Sequence, residues 1–269
     1  MSDLLTLSNG ATVAVYPAGQ PATKYFIYFH GGGFVYGSKN DLPTALTDVF
    51  HKAGYTVLAM DYLLAPNHSF KDILATLEAS FKELKETYIK DAPFSFCGRS
   101  AGGYAELFLT KRLIEQGETL PENVVNFYGY YDLAFINDKR VIAPQTVTEA
   151  LIANIDQSTT VWDDPLMQRY LLYVYGVQQQ LLPEYYQVND ENMADFTISA
   201  ETFKQFPRTF SSASTSDSEV PFKYSKSLKR MIPECKFAAI YDLDHDFLKQ
   251  PENEQVQKVF AQLGDWLEG

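Results

Sequence analysis

The feature that most constrains the fold is an alternation of short apolar segments with longer segments of helical periodicity. Apolar runs of strand length predict eight strands, at residues 4–7, 12–16, 25–30, 55–61, 94–97, 124–128, 208–213 and 236–241. Apolar residues spaced three and four apart predict helices at 70–88, 101–116, 222–231 and 254–266. This β–α–β alternation favours an α/β fold, with a mainly parallel sheet covered by helices on both faces.

The segment 134–203 interrupts this alternation. It is rich in helix-forming and aromatic residues, as in MQRYLLYVYGVQQQLLPEYY, and it has no clear strand pattern. We therefore expect a core formed by residues 1–133 and 204–269, with a mostly helical cap insertion at 134–203. Two local signals refine the boundaries. Asn9-Gly10 predicts a hairpin turn between the first two strands, and Gly117 predicts the end of a helix.

The charge of the chain disfavours two classes of partner. Its 269 residues carry a formal net charge of −12, and no cluster of Lys and Arg occurs. A nucleic-acid partner and an anionic membrane surface both require such a cluster, so neither is expected. No apolar stretch reaches the roughly 18 residues of a membrane-spanning helix. The opening MSDLLTLSNG lacks a basic residue and a long apolar core, so we expect no signal peptide.

The two cysteines, Cys97 and Cys235, lack metal-ligand spacing and suggest no disulfide framework. We therefore expect a cytoplasmic protein without a metal site or cofactor, and we read Cys97 as a small core residue. The sequence leaves open whether the protein forms a homodimer.

The sequence Gly98-Arg99-Ser100-Ala101-Gly102 fits the pattern G-x-S-x-G. A short apolar strand precedes it and a long helix follows, which predicts a sharp turn that exposes the hydroxyl of Ser100. A glycine-rich turn with a helix-capping serine is the alternative.

Three glycines follow another strand, in His30-Gly31-Gly32-Gly33-Phe34. Such a loop lets backbone N–H groups approach an oxyanion, which a serine nucleophile requires. A flexible loop or a phosphate-binding loop is the alternative, although the Lys and Ser/Thr of a P-loop are missing.

Together, HGGGF and GRSAGGY resemble the α/β-hydrolases, and specifically the hormone-sensitive-lipase-like branch of carboxylesterases. The segment DYLLAPNH, at 61–68, is similar to that branch's D-Y-R-L-A-P-E-H. The resemblance implies an α/β-hydrolase fold with an eight-stranded, mostly parallel sheet and the insertion after the sixth strand. It also implies that the amides of Gly32, Gly33 and Ala101 form an oxyanion hole, and that His30 braces the glycine loop.

The same family order, serine then acid then histidine, leads to the partners of Ser100. His245 is the one histidine after Ser100, and it follows the last predicted strand. Asp217 lies in a loop that resembles the family's acid-bearing loop, before Val220-Pro221. Glu219 remains the main competitor for the acid. We interpret His51 and His68 as structural or surface residues, and we expect Asp242, Asp244 and Asp246 to raise the pKa of His245.

These residues predict a serine carboxylesterase that hydrolyses small-molecule esters with short- to medium-chain acyl groups. The catalytic residues would be Ser100, Asp217 and His245. Two alternatives stay open. One is an amide-cleaving relative, such as a peptidase or an arylformamidase, and the other is a non-catalytic binding protein on the same fold.

Overall fold

An eight-stranded sheet forms the centre of the molecule in this computed structural model, which describes residues 3–19 and 21–269. The expectation of no signal peptide concerns the opening segment MSDLLTLSNG, of which Met1 and Ser2 lie outside the described residues. The strands are β1 (Asp3–Thr6), β2 (Thr12–Tyr16), β3 (Tyr25–Phe29), β4 (Thr56–Met60), β5 (Phe94–Arg99), β6 (Asn123–Phe127), β7 (Arg208–Ser214) and β8 (Cys235–Ile240). Each corresponds to a predicted strand, with small shifts at the ends.

The strands are arranged in the order β1-β2-β4-β3-β5-β6-β7-β8. β2 runs antiparallel to both of its neighbours, β1 and β4. Every pair from β4 to β8 is parallel. The mainly parallel sheet is therefore confirmed, and an antiparallel hairpin closes one edge of it. The hairpin turns at Gly10, whose φ of 94° suits the predicted Asn9-Gly10 turn.

Helices cover both faces of the sheet. They are α1 (Thr44–Lys52), α2 (Phe70–Leu84), α3 (Ala101–Gln116), α4 (Glu149–Ile152), α5 (Tyr170–Gln178), α6 (Leu182–Tyr186), α7 (Ala200–Phe203), α8 (Lys223–Met231) and α9 (Glu254–Glu268). A π-helical turn at Lys85–Ile89 continues α2, within the predicted helix 70–88. Short 3₁₀ turns occur at Lys39–Asp41, Met193–Phe196 and Phe247–Lys249.

The alternation of side chains along β3 shows how the two faces are filled. Tyr25, Ile27 and Phe29 pack into a cluster with apolar residues of α2 and α3, whereas Phe26 and Tyr28 pack into a cluster with α1 and α9. All five residues are buried, as expected for a strand covered on both sides. These packing clusters place helices on opposite sides of one sheet, which confirms the predicted layers.

The segment 134–203 consists of four short helices, α4 to α7, one 3₁₀ turn and irregular connections. Its apolar residues do not form a separate core in the described chain. Leu172, Tyr173 and Val174 of α5 belong to the cluster that also contains Phe34 and Phe70. The segment therefore packs directly against the layer that carries α2 and α3.

The parallel strands determine where a site forms. β3, β5, β7 and β8 run in the same direction, so the loops that follow them lie at one edge of the sheet. These loops contain the glycine run after β3, Ser100 after β5, Asp217 after β7 and His245 after β8. The carboxyl edge is where open α/β sheets commonly bind their ligands.

Candidate active site

Ser100 occupies a sharp turn between β5 and α3. Its backbone has a φ of 53° and a ψ of −116°, a conformation that strains a residue with a side chain. A Cβ atom on Gly98 would lie 2.0 Å from the carbonyl oxygen of Gly102, so position 98 has no room for any other residue. The strand-to-helix turn that the G-x-S-x-G pattern predicts is therefore present, with Ser100 at its apex.

Two hydrogen bonds connect Ser100 to His245 and His245 to Asp217. The Oγ of Ser100 lies 2.9 Å from Nε2 of His245, and Nδ1 of His245 lies 2.6 Å from Oδ2 of Asp217. The other carboxylate oxygen of Asp217 accepts the backbone N–H groups of Glu219 and Val220, which fixes the orientation of the carboxylate. The structure thus brings the three predicted catalytic residues into one hydrogen-bonded chain.

Serine side chains connect the loop after β7 to the loop after β8. The hydroxyl of Ser214 donates to the carbonyl oxygen of Leu243. The hydroxyl of Ser218 donates to Oδ1 of Asp244 over 2.8 Å. Because these two loops carry the acid and the histidine, the serines help to maintain the distance between them.

Burial and nearby charges have opposite effects on the pKa of His245. The residue is 5% exposed, and burial lowers the pKa of the imidazole because it disfavours the charged ring. The carboxylates of Asp217, Glu219 and Asp246 outweigh this effect and raise the pKa of His245 to about 9. A raised pKa makes the imidazole a stronger acceptor for the proton of a neighbouring hydroxyl.

The glycine loop after β3 passes beside the serine. A Cβ atom on Gly31 would lie 3.4 Å from Cβ of Ser100. Gly32 and Gly33 have φ values of 107° and 58°, and a Cβ atom on Gly33 would lie 2.3 Å from the ring of Tyr173. Among the described residues, the N–H groups of Gly32 and Gly33 have no hydrogen-bond acceptor. Neither N–H group is therefore engaged in a hydrogen bond within the described part of the protein.

The three predicted oxyanion donors occupy different positions around the cleft. Gly32 forms part of the wall of the cleft that contains Ser100, whereas Gly33 and Ala101 do not. The carbonyl oxygen of Gly33 accepts the hydroxyl of Tyr186 over 2.5 Å. Ala101 begins α3, and its N–H also has no acceptor within the described part of the chain.

The cleft above Ser100 is small. Its volume is about 30 Å³, which is space for about two water molecules. Residues from several loops form its walls, among them Gly31, Tyr36, Met167, Glu219 and Asp246. The space directly beside the hydroxyl is therefore narrow, while the rest of the cleft is open to solvent.

A buried arginine lies directly before the serine. Arg99 is 2% exposed, and its guanidinium contacts Asp246 and Asp41 over 2.6 Å each. Its Nε donates to the hydroxyl of Tyr28, and the hydroxyl of Tyr128 donates to Asp246. Burial raises the pKa of Asp246, but the charge of Arg99 outweighs burial and keeps that pKa well below its usual range. This network was not predicted from the sequence, because Arg99 lies beyond the predicted strand 94–97, whereas β5 extends to include it.

The remaining histidines lie apart from this hydrogen-bonded chain. His30 is buried, with Nδ1 2.7 Å from the carbonyl oxygen of Gly31 and its ring stacked on Tyr62 at 4.1 Å between centroids. These contacts hold the start of the glycine loop, as the resemblance implies. The rings of His51 and His68 make their contacts outside the cleft.

The acidic residues near His245 differ in what they contact. Glu219, the competitor of Asp217, makes no hydrogen bond to the imidazole, and its Oε2 accepts the hydroxyl of Tyr173 over 3.3 Å. Asp244 accepts the backbone N–H of His245 instead of the ring N–H. Among the described residues, Asp217 is therefore the carboxylate bonded to the ring.

Within residues 3–19 and 21–269, no group of three or more His, Cys, Asp and Glu side chains is arranged to hold a metal ion. No helix in the described part of the chain combines the length and the apolar character needed to cross a membrane. Cys97 and Cys235 are free and buried, and burial raises the pKa of both thiols.

Comparison with known proteins identifies the family. A family model described as the alpha/beta hydrolase fold matches residues 26–249. An esterase from Acinetobacter venetianus is 29% identical over 117 residues, which cover 44% of this chain and 39% of the esterase. An acetyl-hydrolase from Streptomyces hygroscopicus is 29% identical over 135 residues, which cover 49% of this chain and 44% of that protein. The match thus spans less than half the length of these curated relatives.

Solved structures match the chain over nearly its whole length. An alpha/beta hydrolase superfamily protein from Enterococcus faecalis is 50% identical, with a TM-score of 0.96 over 99% of this chain and 98% of that one. A Staphylococcus aureus protein is 24% identical, with a TM-score of 0.85 over 100% of this chain and 98% of that one, and it supports the fold alone. The chain therefore belongs to the α/β-hydrolase superfamily.

Proposed function

We propose that this protein is a serine carboxylesterase that hydrolyses small esters with short- to medium-chain acyl groups. One observation carries the proposal: the hydroxyl of Ser100, at a strained turn, is hydrogen-bonded to His245, which is bonded in turn to Asp217. This arrangement is the one that activates a serine for acyl transfer. The names of the relatives, an esterase and an acetyl-hydrolase, support an ester as the substrate.

In the first step, Ser100 attacks the carbonyl carbon of the ester while Nε2 of His245 takes the hydroxyl proton. Asp217 accepts a hydrogen bond from Nδ1, so the neutral form of the imidazole, which is the form that acts as the base, presents an unprotonated Nε2 to Ser100. The charge of Asp217 also stabilises the imidazolium that forms. His245 then gives the proton to the leaving alcohol, and the acyl group stays on Ser100 as an ester.

Negative charge develops on the carbonyl oxygen of the substrate during this attack. We assign its stabilisation to the N–H groups of Gly32, Gly33 and Ala101, which have no acceptor among the described residues. Loss of one such donor raises the barrier by about 3 kcal/mol, which is roughly a hundredfold in rate.

In the second step, water replaces the alcohol. His245 takes a proton from the water as it attacks the acyl-enzyme, and the same N–H groups stabilise the second oxyanion. His245 then returns the proton to Ser100, which releases the carboxylic acid. The reaction consumes one water per ester, and His245 alternates between base and acid.

The dimensions of the site favour small acyl groups. The cleft of about 30 Å³ leaves little space beside Ser100 unless its walls move. Tyr36 and Met167 contribute to these walls. A series of p-nitrophenyl esters should therefore show the highest kcat/KM at acetate or butyrate and a decline toward laurate.

The direct test is Ser100→Ala, assayed with p-nitrophenyl acetate and butyrate. We expect the variant to fold and to lose hydrolysis by at least about a thousandfold, because no other group replaces the nucleophile. Ser8→Ala, at an exposed serine of the β1–β2 hairpin, is the control and should keep the parent activity. Retention of more than a tenth of the activity by Ser100→Ala would contradict the proposal.

We also propose that the protein works in the reducing environment of the cytoplasm. Its two cysteines are free thiols, each buried in the packed interior. Proteins of oxidising compartments tend to pair their cysteines in disulfides.

A further inference from the structure

Glu219 places a carboxylate in the wall of the cleft that contains Ser100 and His245. Its Oε2 accepts one long hydrogen bond, from the hydroxyl of Tyr173 at 3.3 Å. Its Oε1 has no hydrogen-bond partner among the described residues. No proton or bond is transferred to this carboxylate in the catalytic steps proposed above, although its charge raises the pKa of His245. Burial raises the pKa of Glu219 itself, whereas the charges of His245 and Arg140 lower it. In its ionised form the carboxylate presents a negative charge and a free acceptor to a molecule in the cleft.

The cations near Glu219 make no hydrogen bond to its carboxylate, although the charges of His245 and Arg140 act on it from a longer distance. Arg140 donates from Nη1 to the backbone carbonyl of Glu219 over 2.8 Å and from Nη2 to the carbonyl of Ile136. Lys249, which also lines the cleft, forms an ion pair with Asp246 over 2.7 Å. No salt bridge within the described residues includes the Glu219 carboxylate. The carboxylate is therefore able to take a cation from outside the protein.

Aromatic rings lie next to the same carboxylate. Tyr36 lines the cleft, and its ring packs against Tyr170 and Tyr173 at centroid distances of 5.4 and 5.5 Å. Burial raises the pKa of all three hydroxyls, and the charge of Glu219 raises it further, so all three lie within its electrostatic reach. Aromatic rings attract ammonium groups, as carboxylates do.

We propose that the cleft selects esters that carry a positively charged ammonium group close to the scissile bond, with Glu219 as the counter-ion and Tyr36 as an adjoining aromatic surface. This inference rests on the proposed esterase function and specifies its substrate class. The net charge of −12 also favours the approach of cationic molecules to this protein.

The test uses pairs of esters that have nearly the same shape and differ in charge. Acetylcholine and 3,3-dimethylbutyl acetate differ in charge in the alcohol part of the ester. Glycine ethyl ester and ethyl propanoate, at pH 7, place it in the acyl part. For each pair, the ratio of kcat/KM for the charged ester to that for the neutral ester is measured in the parent protein and in Glu219→Gln.

Comparing this ratio between the two proteins isolates the role of the Glu219 charge. The intrinsic reactivity of each ester is the same in both proteins, so it cancels when the two ratios are compared. A change in the basicity of His245 affects both esters of a pair equally, so it cancels within each ratio. Glutamine keeps the shape of the side chain and an oxygen that accepts the hydroxyl of Tyr173. Glu234→Gln, at an exposed glutamate, changes the net charge equally and should leave the ratio unchanged.

A binding measurement tests the inference independently of turnover. Calorimetry gives the Kd of choline and of 3,3-dimethylbutan-1-ol for Ser100→Ala, with and without Glu219→Gln. Because the trimethylammonium group would lose its counter-ion, we expect Glu219→Gln to weaken choline binding about tenfold or more and to leave the neutral alcohol unaffected. Thermal unfolding of each variant shows that the fold is retained.

The outcomes separate the inference from the proposed function. If the parent protein hydrolyses none of the four esters, the esterase proposal fails, and choline binding still decides the inference. The inference is supported if Glu219→Gln lowers either charged-to-neutral ratio of kcat/KM by threefold or more relative to the parent protein. It is also supported if Glu219→Gln raises the Kd of choline for Ser100→Ala by threefold or more. Changes below threefold in all three comparisons would overturn it, even if the neutral esters are hydrolysed rapidly.

Discussion

Replacing Arg99 with methionine tests how much the buried ion pairs next to the candidate site stabilise the fold. The guanidinium is 2% exposed and contacts the carboxylates of Asp41 and Asp246 over 2.6 Å each. Methionine fills a similar volume but removes the positive charge. Two carboxylates then lose their buried partner and keep their own charges, and this loss is the origin of the expected destabilisation.

The exposed fractions of the side chains determine the expected magnitude. Breaking a buried ion pair costs about 3–5 kcal/mol. Asp41 and Asp246 are 13% and 35% exposed, so water relieves part of their uncompensated charge. We therefore expect Arg99→Met to lower the free energy of unfolding by about 3 kcal/mol, at the low end of that range. Lys249 pairs with the same Asp246 but is 54% exposed, so Lys249→Met should cost about 0–1 kcal/mol.

Equilibrium unfolding in urea at pH 7, followed by tryptophan fluorescence, measures both costs under the same conditions. The 3 kcal/mol expected for Arg99→Met corresponds to a decrease in Tm of about 6–12 °C in a protein of this size. Lys249→Met is the matched control, because it removes a cation from the same carboxylate at the surface. Equal costs for the two variants, or an Arg99→Met protein as stable as the parent, would refute the reasoning.

Two further predictions concern the reacting groups and the turn that holds them. The raised pKa of His245 implies that kcat/KM decreases as the pH falls, since a protonated imidazole cannot take the proton of Ser100. We expect the midpoint of this decrease to lie above pH 6.5 and toward about pH 9 in the parent protein, and at a lower pH in Glu219→Gln. A midpoint at or below pH 6.5 in the parent protein would contradict this expectation. Gly102→Ala would place a Cβ atom 2.1 Å from the carbonyl oxygen of Phe29, so we expect a loss of about 1–3 kcal/mol of stability and of most p-nitrophenyl acetate hydrolysis. Gly264→Ala, which has no atom closer than 4.0 Å, should match the parent in both assays, and equal behaviour of the two variants would argue against a tight turn.

The sheet and its main helices were predictable because their signals are local. The helix α3 occupies the predicted range 101–116, and Gly117 ends it in the left-handed conformation, with a φ of 66°. The sequence YFIYF of β3 is apolar throughout because both faces of that strand are buried. Such signals depend on a few neighbouring residues and are independent of the rest of the fold.

The meeting of Ser100, Asp217 and His245 was predictable for a topological reason. Each residue follows a strand, and parallel strands end at the same edge of a sheet. Sequence alone left Glu219 open as the acid because it lies two residues from Asp217 in the same loop. The choice depends on how the loop turns, which the N–H groups of Glu219 and Val220 fix by donating to Asp217.

The Arg99 network was not predictable because its partners are distant in the sequence. Asp41 and Asp246 lie 58 and 147 residues from Arg99. They reach it because β5 is central in the sheet and loops from both sides meet at its carboxyl end. A charged residue in a fully buried strand requires compensation, but the sequence does not identify the groups that provide it.

The detailed structure of 134–203 was beyond sequence reasoning for a different reason. α5, with the sequence YLLYVYGVQ, is apolar around most of its circumference, so it has no polar face from which to infer an orientation. Its neighbours α4, α6 and α7 have four or five residues each, too short for periodicity to emerge. Contacts with the sheet layer determine their positions.

Covalent labelling of Ser100 tests the central claim most directly, since the whole account depends on an activated nucleophile at this position. The parent protein is treated with a fluorophosphonate, and the modified peptide is identified by mass spectrometry. We expect one adduct, on Ser100, that is absent in Ser100→Ala and forms far more slowly in His245→Ala. A parent protein that stays unlabelled, or an adduct on another residue with Ser100 unmodified, would contradict the account.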